Sequence, residues 1–305
     1  MAAGPITSGS FAKALYPGVN AWFGKAYSEY PVEYTDLFNT YNTNRAFEED
    51  VYVSSFGLAK VKPEGQTIQY DAEEQAFITR YQPVVFALGF VVTREIYEDD
   101  LYDVVGQRRA RGLAFSMRQT KETVAANVYN RAFNSSYTGA DGLELCSTAH
   151  VNWAGGTFAN ELATSADLSE AALEQASIDI MNFTNDRGLR ISVQPQTLHI
   201  PPDLMFEADR ILNSNGRVGT SDNDLNALKS MGKFPGGVKV NHYFTDTDAW
   251  FIRTNVPDGM KLFQRRPMAF DMDNDFDTEN AKYKATERYV FGWSDPRALY
   301  GSPGA

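Results

Sequence analysis

Apolar positions change period several times along this chain, and each change marks an element. From Glu98 to about Phe133 the period is helical: Leu113, Met117, Val124 and Val128 follow one another at spacings of four, seven and four, which puts them on one stripe. Asp99 or Asp100 is placed to cap the start, and Asp103 falls in the first turn, where the helix dipole favours negative charge. Gly106 and Gly112 weaken the first third and predict a bend there. At ~1.5 Å per residue such a helix is a rod about 45–50 Å long, the main organising element of the chain. A second helix is predicted between Leu168 and Asp186. Asp167 and Glu170 pair as a capping box, Leu173, Ala176, Ile180 and Phe183 share a face, and Gly188 stops it. A strand at Thr197–Ile200 runs into Pro201 and Pro202, and a third helix covers Asp203–Leu212. Residues 213–237 are loop-rich, and strands follow in the stretch from Val240 to Val256 and from Lys261 to Trp293.

Ahead of the long helix the pattern is that of strands. Residues 51–61 (VYVSSFGLAKV) are β-branched and aromatic, and Lys62–Gly65 (KPEG) places Pro and Gly at the second and fourth positions of a type I turn. The return leg carries Asp71, Glu73 and Glu74 and is too polar for a core, so the two legs predict a long projecting hairpin that needs a partner surface. The run Val84–Val92 (VVFALGFVV) reads as a buried strand. Residues 1 to about 45 read as an irregular arm, because Pro17, Gly18, Gly24 and Pro31 interrupt every period. The arm is rich in aromatics, Trp22 and Phe23 among them, which a disordered tail is not. It should therefore bury itself, either on its own domain or on a neighbouring subunit.

Composition narrows the classes. Twenty-eight basic residues against thirty-nine acidic ones give a net charge of −11 over 305 residues, which disfavours sequence-specific nucleic-acid recognition by the whole chain. One cysteine, Cys146, excludes an internal disulfide and points to a reducing compartment. No signal-peptide pattern opens the chain, and a nine-residue apolar run falls short of the about twenty residues of a membrane helix. Against the acidic background, the long helix carries Arg108, Arg109, Arg111, Arg118, Lys121 and Arg131 with only Asp103 and Glu122 opposing them. This face is either solvated and paired with acidic segments, or it meets a polyanion or the acidic hairpin of a neighbour.

Catalytic and cofactor motifs are poorly formed. Gly18–Ala26 mimics a phosphate loop but has one spacer too many and Ala where a hydroxyl must hold Mg²⁺. The acids Asp271, Asp273, Asp275 and Asp277 invite a calcium reading, yet Phe276 and Lys282 occupy the positions that a calcium loop needs as Gly and Glu. They read as the exposed face of an alternating strand or as a solvated loop. Cys146 and His150 stand four apart, but a nucleophile pair needs spatial reach and an orienting third group, and the cysteine sits in a loop without a motif, a weak basis for a cytoplasmic Cys/His hydrolase. No cofactor or metal site and no catalytic residue is expected.

The order of the parts is more telling than any motif. An aromatic arm, a projecting hairpin, one long helix, a helix-rich mixed region and long closing strands together resemble the tailed-bacteriophage major capsid protein of the Hong Kong 97-type fold. QPQTLHIPPDLMFEADRILNS (194–214) resembles the family's strand-to-helix segment, and HYFTDTDAWFI (242–252) and ERYVFGWSDPRALYGS (287–302) resemble phrases of phage major head proteins, Mu-like head subunits included. The resemblance spans essentially the whole chain.

The resemblance implies an α+β fold with an N-terminal arm at 1–47, an extended loop and return strand at 48–92, and a spine helix of a peripheral domain at 93–139. A mostly axial domain at 140–257 and peripheral strands with the C-terminus at 258–305 complete it. It further implies a structural protein rather than an enzyme, self-assembling as hexamers and pentamers into an icosahedral shell around double-stranded DNA. The shell would be assembled in the host bacterial cytoplasm and end in the virion. Implied partners are further copies of the chain, a portal protein, a scaffolding protein, a decoration protein and packaged DNA met without sequence readout; no membrane is implied. Many relatives begin with a charged scaffolding extension that this chain does not show, so either this is a mature form or the scaffold is a separate protein, and Met1 at the start favours the second. Trp22, Phe23, Lys60, Lys62, Asp71, Glu73, Glu74, Arg108, Arg109 and Arg111 are the expected inter-subunit contacts. The type member crosslinks its subunits through Lys and Asn; Lys60 and Lys62 lie in the hairpin, but no matching acceptor or catalytic carboxylate can be named, so crosslinking is not expected. The neighbouring reading on the same fold is an encapsulin-like nanocompartment shell.

Overall fold

The computed structural model describes residues 12–98, 102–216, 224–275 and 280–305. It opens with α1 (Ala12–Glu29), a one-turn α2 (Tyr34–Leu37) and β1 (Asn39–Asn42). β2 (Glu48–Val53) and β3 (Gln75–Tyr81) pair antiparallel, β4 (Val84–Val92) follows, and α3 (Arg94–Glu98) leads into the long helix α4 (Tyr102–Asn130). Next come β5 (His150–Val151), β6 (Thr157–Phe158), α5 (Glu170–Met181), β7 (Pro195–Ile200), α6 (Met205–Asn213), α7 (Ala227–Ser230), β8 (Val238–Val240) and β9 (Trp250–Thr254). The long strands β10 (Met260–Asn274) and β11 (Ala281–Trp293) and the short β12 (Leu299–Ser302) close the chain.

Two sheets organise these elements. The first has the order β1-β10-β11-β4, with β1 parallel to β10 and the other pairs antiparallel. Helix α4 covers one face of it. Ala110, Leu113, Ala114 and Met117 pack on Val92, Phe270, Tyr283 and Ala285, and α1 joins them through Phe23 and Ala26. The second sheet has the order β12-β9-β7-β8 and shares a core with α5 and α6 built on Leu173, Ile180, Leu198, Ile211 and Trp250. A third core unites the two sheets around the end of α4, where Tyr129, Cys146 and Phe251 meet Leu262, Tyr289, Phe291 and Leu299. Packing there is tight: a Cβ on Gly301 would lie 2.9 Å from the Phe251 ring and 3.1 Å from the Cys146 sulfur.

Several sequence expectations need correction. The arm is not irregular: residues 12–29 form a helix despite Pro17 and Gly18, because burying Phe23 and Ala26 against α4 outweighs poor local propensity. Val84–Val92 is not a buried strand. It pairs with β11 on one side only, so it is a sheet edge; Phe86, Phe90 and Val92 turn towards the core while Val84, Val85, Leu88 and Val91 stay exposed. The projecting excursion is laddered only at its base, from Glu48↔Tyr81 to Val53↔Gln75, and residues 54–74 form no strand. α5 is capped by Ser169, whose hydroxyl accepts from the Ala172 N–H, rather than by Asp167, and it ends at Met181. α4 runs from Tyr102 to Asn130; its expected caps, Asp99 and Asp100, lie outside the described residues.

Candidate functional site: the loop root and its surroundings

Residues 54–74 leave the body between β2 and β3, and their root is clamped. Ser54 and Glu74 exchange two bonds: the Ser54 N–H donates to the Glu74 carbonyl at 2.9 Å, and the Glu74 N–H donates to the Ser54 hydroxyl at 2.9 Å. The Asp71 carboxylate accepts the Gly57 N–H at 2.8 Å and the Arg187 guanidinium at 2.7 Å. These donors, the Gly57 N–H first, hold its pKa below the ordinary carboxylate value. The second Arg187 nitrogen donates to the Ala72 carbonyl at 2.7 Å. Arg187 is carried by the turn after α5, Asn185–Gly188. That turn is shaped by the Asn185 side chain, which accepts the Arg187 and Leu189 N–H groups, and by Gly188 at φ 74°. In the same turn burial raises the pKa of Asp186, as it does that of Tyr52 on β2. Trp153 completes the clamp, donating to Glu74 at 3.4 Å and meeting Phe77 edge-on.

Beyond the root, Phe56, Leu58, Val61, Ile68 and Tyr70 are exposed, Val61 by 94%. A turn forms here one residue later than the expected Lys62–Gly65 type I turn: the Gln66 N–H donates to the Pro63 carbonyl at 3.2 Å, and Gly65, now the third residue, takes φ 77°. Lys60, Lys62 and Glu73 are exposed on this loop. Asp71 and Glu74, expected as contacts to a neighbour, are engaged within their own chain. Of the two readings of the arm, the own-domain one holds for Phe23 and Trp22, also expected as inter-subunit contacts: Phe23 is 3% exposed and stacks on Phe270 at 4.8 Å, and Trp22 packs against the same core.

The basic helix face divides in two. Arg108, Arg109 and Arg111 are exposed, and Arg109 donates to the Val91 carbonyl at 2.6 Å. Arg118 and Lys121 are buried. The Arg118 guanidinium lies 4.0 Å over the Tyr27 ring, and the Lys121 ammonium is 2.6 Å from Glu287. Glu287 also accepts from Gln264 at 3.1 Å and from Tyr27 at 3.4 Å. Glu122 accepts the Tyr34 N–H at 2.8 Å and so caps α2 from α4. These two carboxylates and Lys121 fasten α1, α2, α4 and the first sheet into one body.

The weaker chemical readings resolve on geometry. Cys146 is fully buried in the core between the sheets, and burial raises its pKa well above the ordinary thiol value, which suppresses the nucleophilic thiolate. His150 is engaged elsewhere, with Nδ1 2.5 Å from Asp141 and Nε2 3.3 Å from the Leu145 carbonyl. Asp271 and Asp273 lie opposite Lys284 and Lys282 across β10–β11, and Lys282 bonds Asp275 at 2.6 Å; Asp277 lies outside the described residues. His199 lies in β7 as expected, whereas His242 sits after β8 and bonds Glu33 at 2.6 Å.

Sequence reasoning missed Arg187, Trp153 and Tyr52. The turn chemistry of Asn185–Gly188 is legible, but nothing local links Arg187 to an aspartate 116 positions earlier.

A long helix laid along a four-stranded sheet, a second mixed sheet and a clamped loop projecting from their junction define a shell-forming fold of the Hong Kong 97 type. A family model of phage capsid proteins matches residues 76–302, and the chain belongs to that family. No curated protein sequence matches it. Among solved structures it is similar to the mature capsid of bacteriophage PhiM1 (12% identity, 89% of this chain and 86% of that chain, TM-score 0.57). It is also similar to a virus-like particle from Pyrococcus furiosus (10% identity, 94% and 98%, TM-score 0.56) and to the procapsid of bacteriophage JBD30 (13% identity, 97% and 76%, TM-score 0.54). At these identities the structures speak for the fold, and the family match speaks for a structural protein of the phage capsid.

Proposed function

We propose that the chain is the repeating subunit of an icosahedral phage head, assembling as hexamers and pentamers around double-stranded DNA. The observation that carries this reading is the family match over residues 76–302 on a fold whose exposed loop, 54–74, has apolar side chains and no strand partner of its own. Such a loop is costly in an isolated protein and is stabilised when a neighbouring copy covers it. Residues 12–47 serve as the arm, the loop with β2 and β3 as the extended loop, α4 with the first sheet as the peripheral domain, and the second sheet with α5 and α6 as the axial domain. Lys60, Lys62, Glu73 and the exposed Arg108, Arg109 and Arg111 are the polar contacts available to neighbours. A portal protein, a separate scaffolding protein and a decoration protein are the further partners, assembly takes place in the host cytoplasm, and packaged DNA meets the inner surface through phosphate-type contacts.

Negative-stain microscopy of the purified chain after gel filtration, alone and with a candidate scaffold, tests this. Closed shells or capsomer rings are expected. Particles that hold nuclease-protected DNA when made in an infected cell support the phage-head reading, and particles that enclose a protein cargo instead make it a nanocompartment. Monomer under every condition overturns both.

A further inference from the structure

The loop beyond its root has almost no structure of its own. Between Ser54 and Glu74 the only backbone bond is the turn from Gln66 to Pro63, so nothing along the loop decides where it points. Direction is decided at the root, and there a single side chain from a distant segment holds both legs. Arg187 grips Asp71 and Ala72 on the return leg directly, and through Asp71 it engages Gly57 on the outgoing leg. Its side chain is 26% exposed and that of Asp71 is 44% exposed, so solvent can reach the pair and break it without unfolding the core.

We propose that Arg187 is an intrachain latch that fixes the angle at which the loop 54–74 leaves the body, so that opening the Arg187–Asp71 contact frees the loop to swing. In the latched form the apolar residues Phe56, Leu58, Val61, Ile68 and Tyr70 are presented in one orientation. In the open form Ser54, Glu74 and the β2–β3 ladder still hold the base, and the loop above Gly57 moves as a hinged arm. The latch concerns the unassembled subunit, so it stands whether or not the shell reading does; its consequence for shell geometry rests on that reading.

The test is hydrogen exchange and limited proteolysis on the full chain, kept unassembled at low concentration, comparing wild type with Arg187→Ala and with the swap Asp71→Arg/Arg187→Asp. Arg187→Ala should speed exchange at the Gly57 amide and cleavage within 58–70 by about three- to tenfold, the range of a charge-assisted contact at a partly exposed site. The Ser54 amide, bonded to Glu74, should keep its wild-type rate. The swap should return cleavage towards wild type, since it restores the ion pair. Unchanged Gly57 exchange and loop cleavage in Arg187→Ala overturn the latch. Equal acceleration at Gly57 and Ser54 also overturns it, because the whole base would then have opened. Under assembly conditions the same variant should form a broader range of shell sizes; uniform wild-type shells would remove the geometric consequence while leaving the exchange result to judge the latch itself.

Discussion

Replacing Lys121 by Met removes one charge from a pair sealed inside the molecule. The two side chains are 2% and 1% exposed, their atoms 2.6 Å apart, and they join α4 to β11. Methionine retains the aliphatic stem, so little cavity forms and the packing loss is small. What remains is the Glu287 carboxylate, stripped of its counter-ion and left with Gln264 and Tyr27 as neutral donors. Leaving a buried charge uncompensated costs about 3–5 kcal/mol. The ammonium also lies 4.7 Å from the Tyr34 ring centroid and 5.1 Å from that of Tyr289, contacts that are lost with it. Lys121→Met/Glu287→Gln should recover at least about 2 kcal/mol of the single variant's deficit, because the amide keeps neutral partners and no charge is stranded. The assay is urea unfolding of unassembled chain at pH 7, followed by far-ultraviolet circular dichroism at fixed protein concentration, since association would add its own stabilisation. A Lys121→Met deficit below about 1 kcal/mol, or a double variant as unstable as the two singles summed, would refute the reasoning.

Three other outcomes follow from buried polar groups. His199 is fully buried, neither ring nitrogen has a hydrogen-bond partner among the described residues, and burial first, then Arg253 and Lys239, depress its pKa to about 3. The unfolded chain takes up a proton near pH 6.5 that the folded chain refuses, so stability is lost as pH falls from 6.5 towards 3, by up to about 1.4 kcal/mol per pH unit. His199→Leu should match or exceed wild-type stability at pH 7 and flatten that acid limb in a pH series of unfolding curves; an unchanged limb would rule the histidine out as its source. Asn160 donates to the Leu145, Pro296 and Leu299 carbonyls at 2.7–3.0 Å and accepts the Ser147 N–H at 2.8 Å, so Asn160→Ala should cost about 2–4 kcal/mol in the same assay. Asn160→Asp should fare no better, as it turns a carboxylate towards three carbonyls; near-wild-type stability would remove Asn160 from that role. Cys146→Ala should leave shell formation intact and lower stability by about 1 kcal/mol, and the native thiol should react with a disulfide reagent only on unfolding; rapid labelling of folded chain would contradict its burial.

Local pattern reached far into this molecule. The α4 stripe was legible because Leu113 and Met117 face one core at helical spacing, and the two closing strands were legible as one long β-branched and aromatic stretch. Pro63 and Gly65 marked a turn, although it closes over Pro63–Gln66, one residue later than the pattern placed it. The capsid resemblance rested on the order of such elements, which is a property of the chain as written. Other features lay beyond any local rule. Residues 12–29 are helical because α4 offers Phe23 and Ala26 a surface, and no window around Pro17 and Gly18 contains that information.

Nine apolar residues in β4 specify a strand, but whether its second edge is covered depends on the sheet order, in which only β11 lies beside it. The charges of α4 show the same division. The sequence determined that the helix is basic; the tertiary structure decided that Lys121 and Arg118 turn inward to Glu287 and Tyr27 while Arg108 and Arg111 remain on the surface. The Arg187–Asp71 contact joins segments 116 positions apart, and chain connectivity places no constraint on which distant charges meet. Periodicity, turn chemistry and composition act over a few residues and can be read directly. Burial, pairing and the sign of a site's electrostatics arise from packing between elements, and these exist only once the chain has folded.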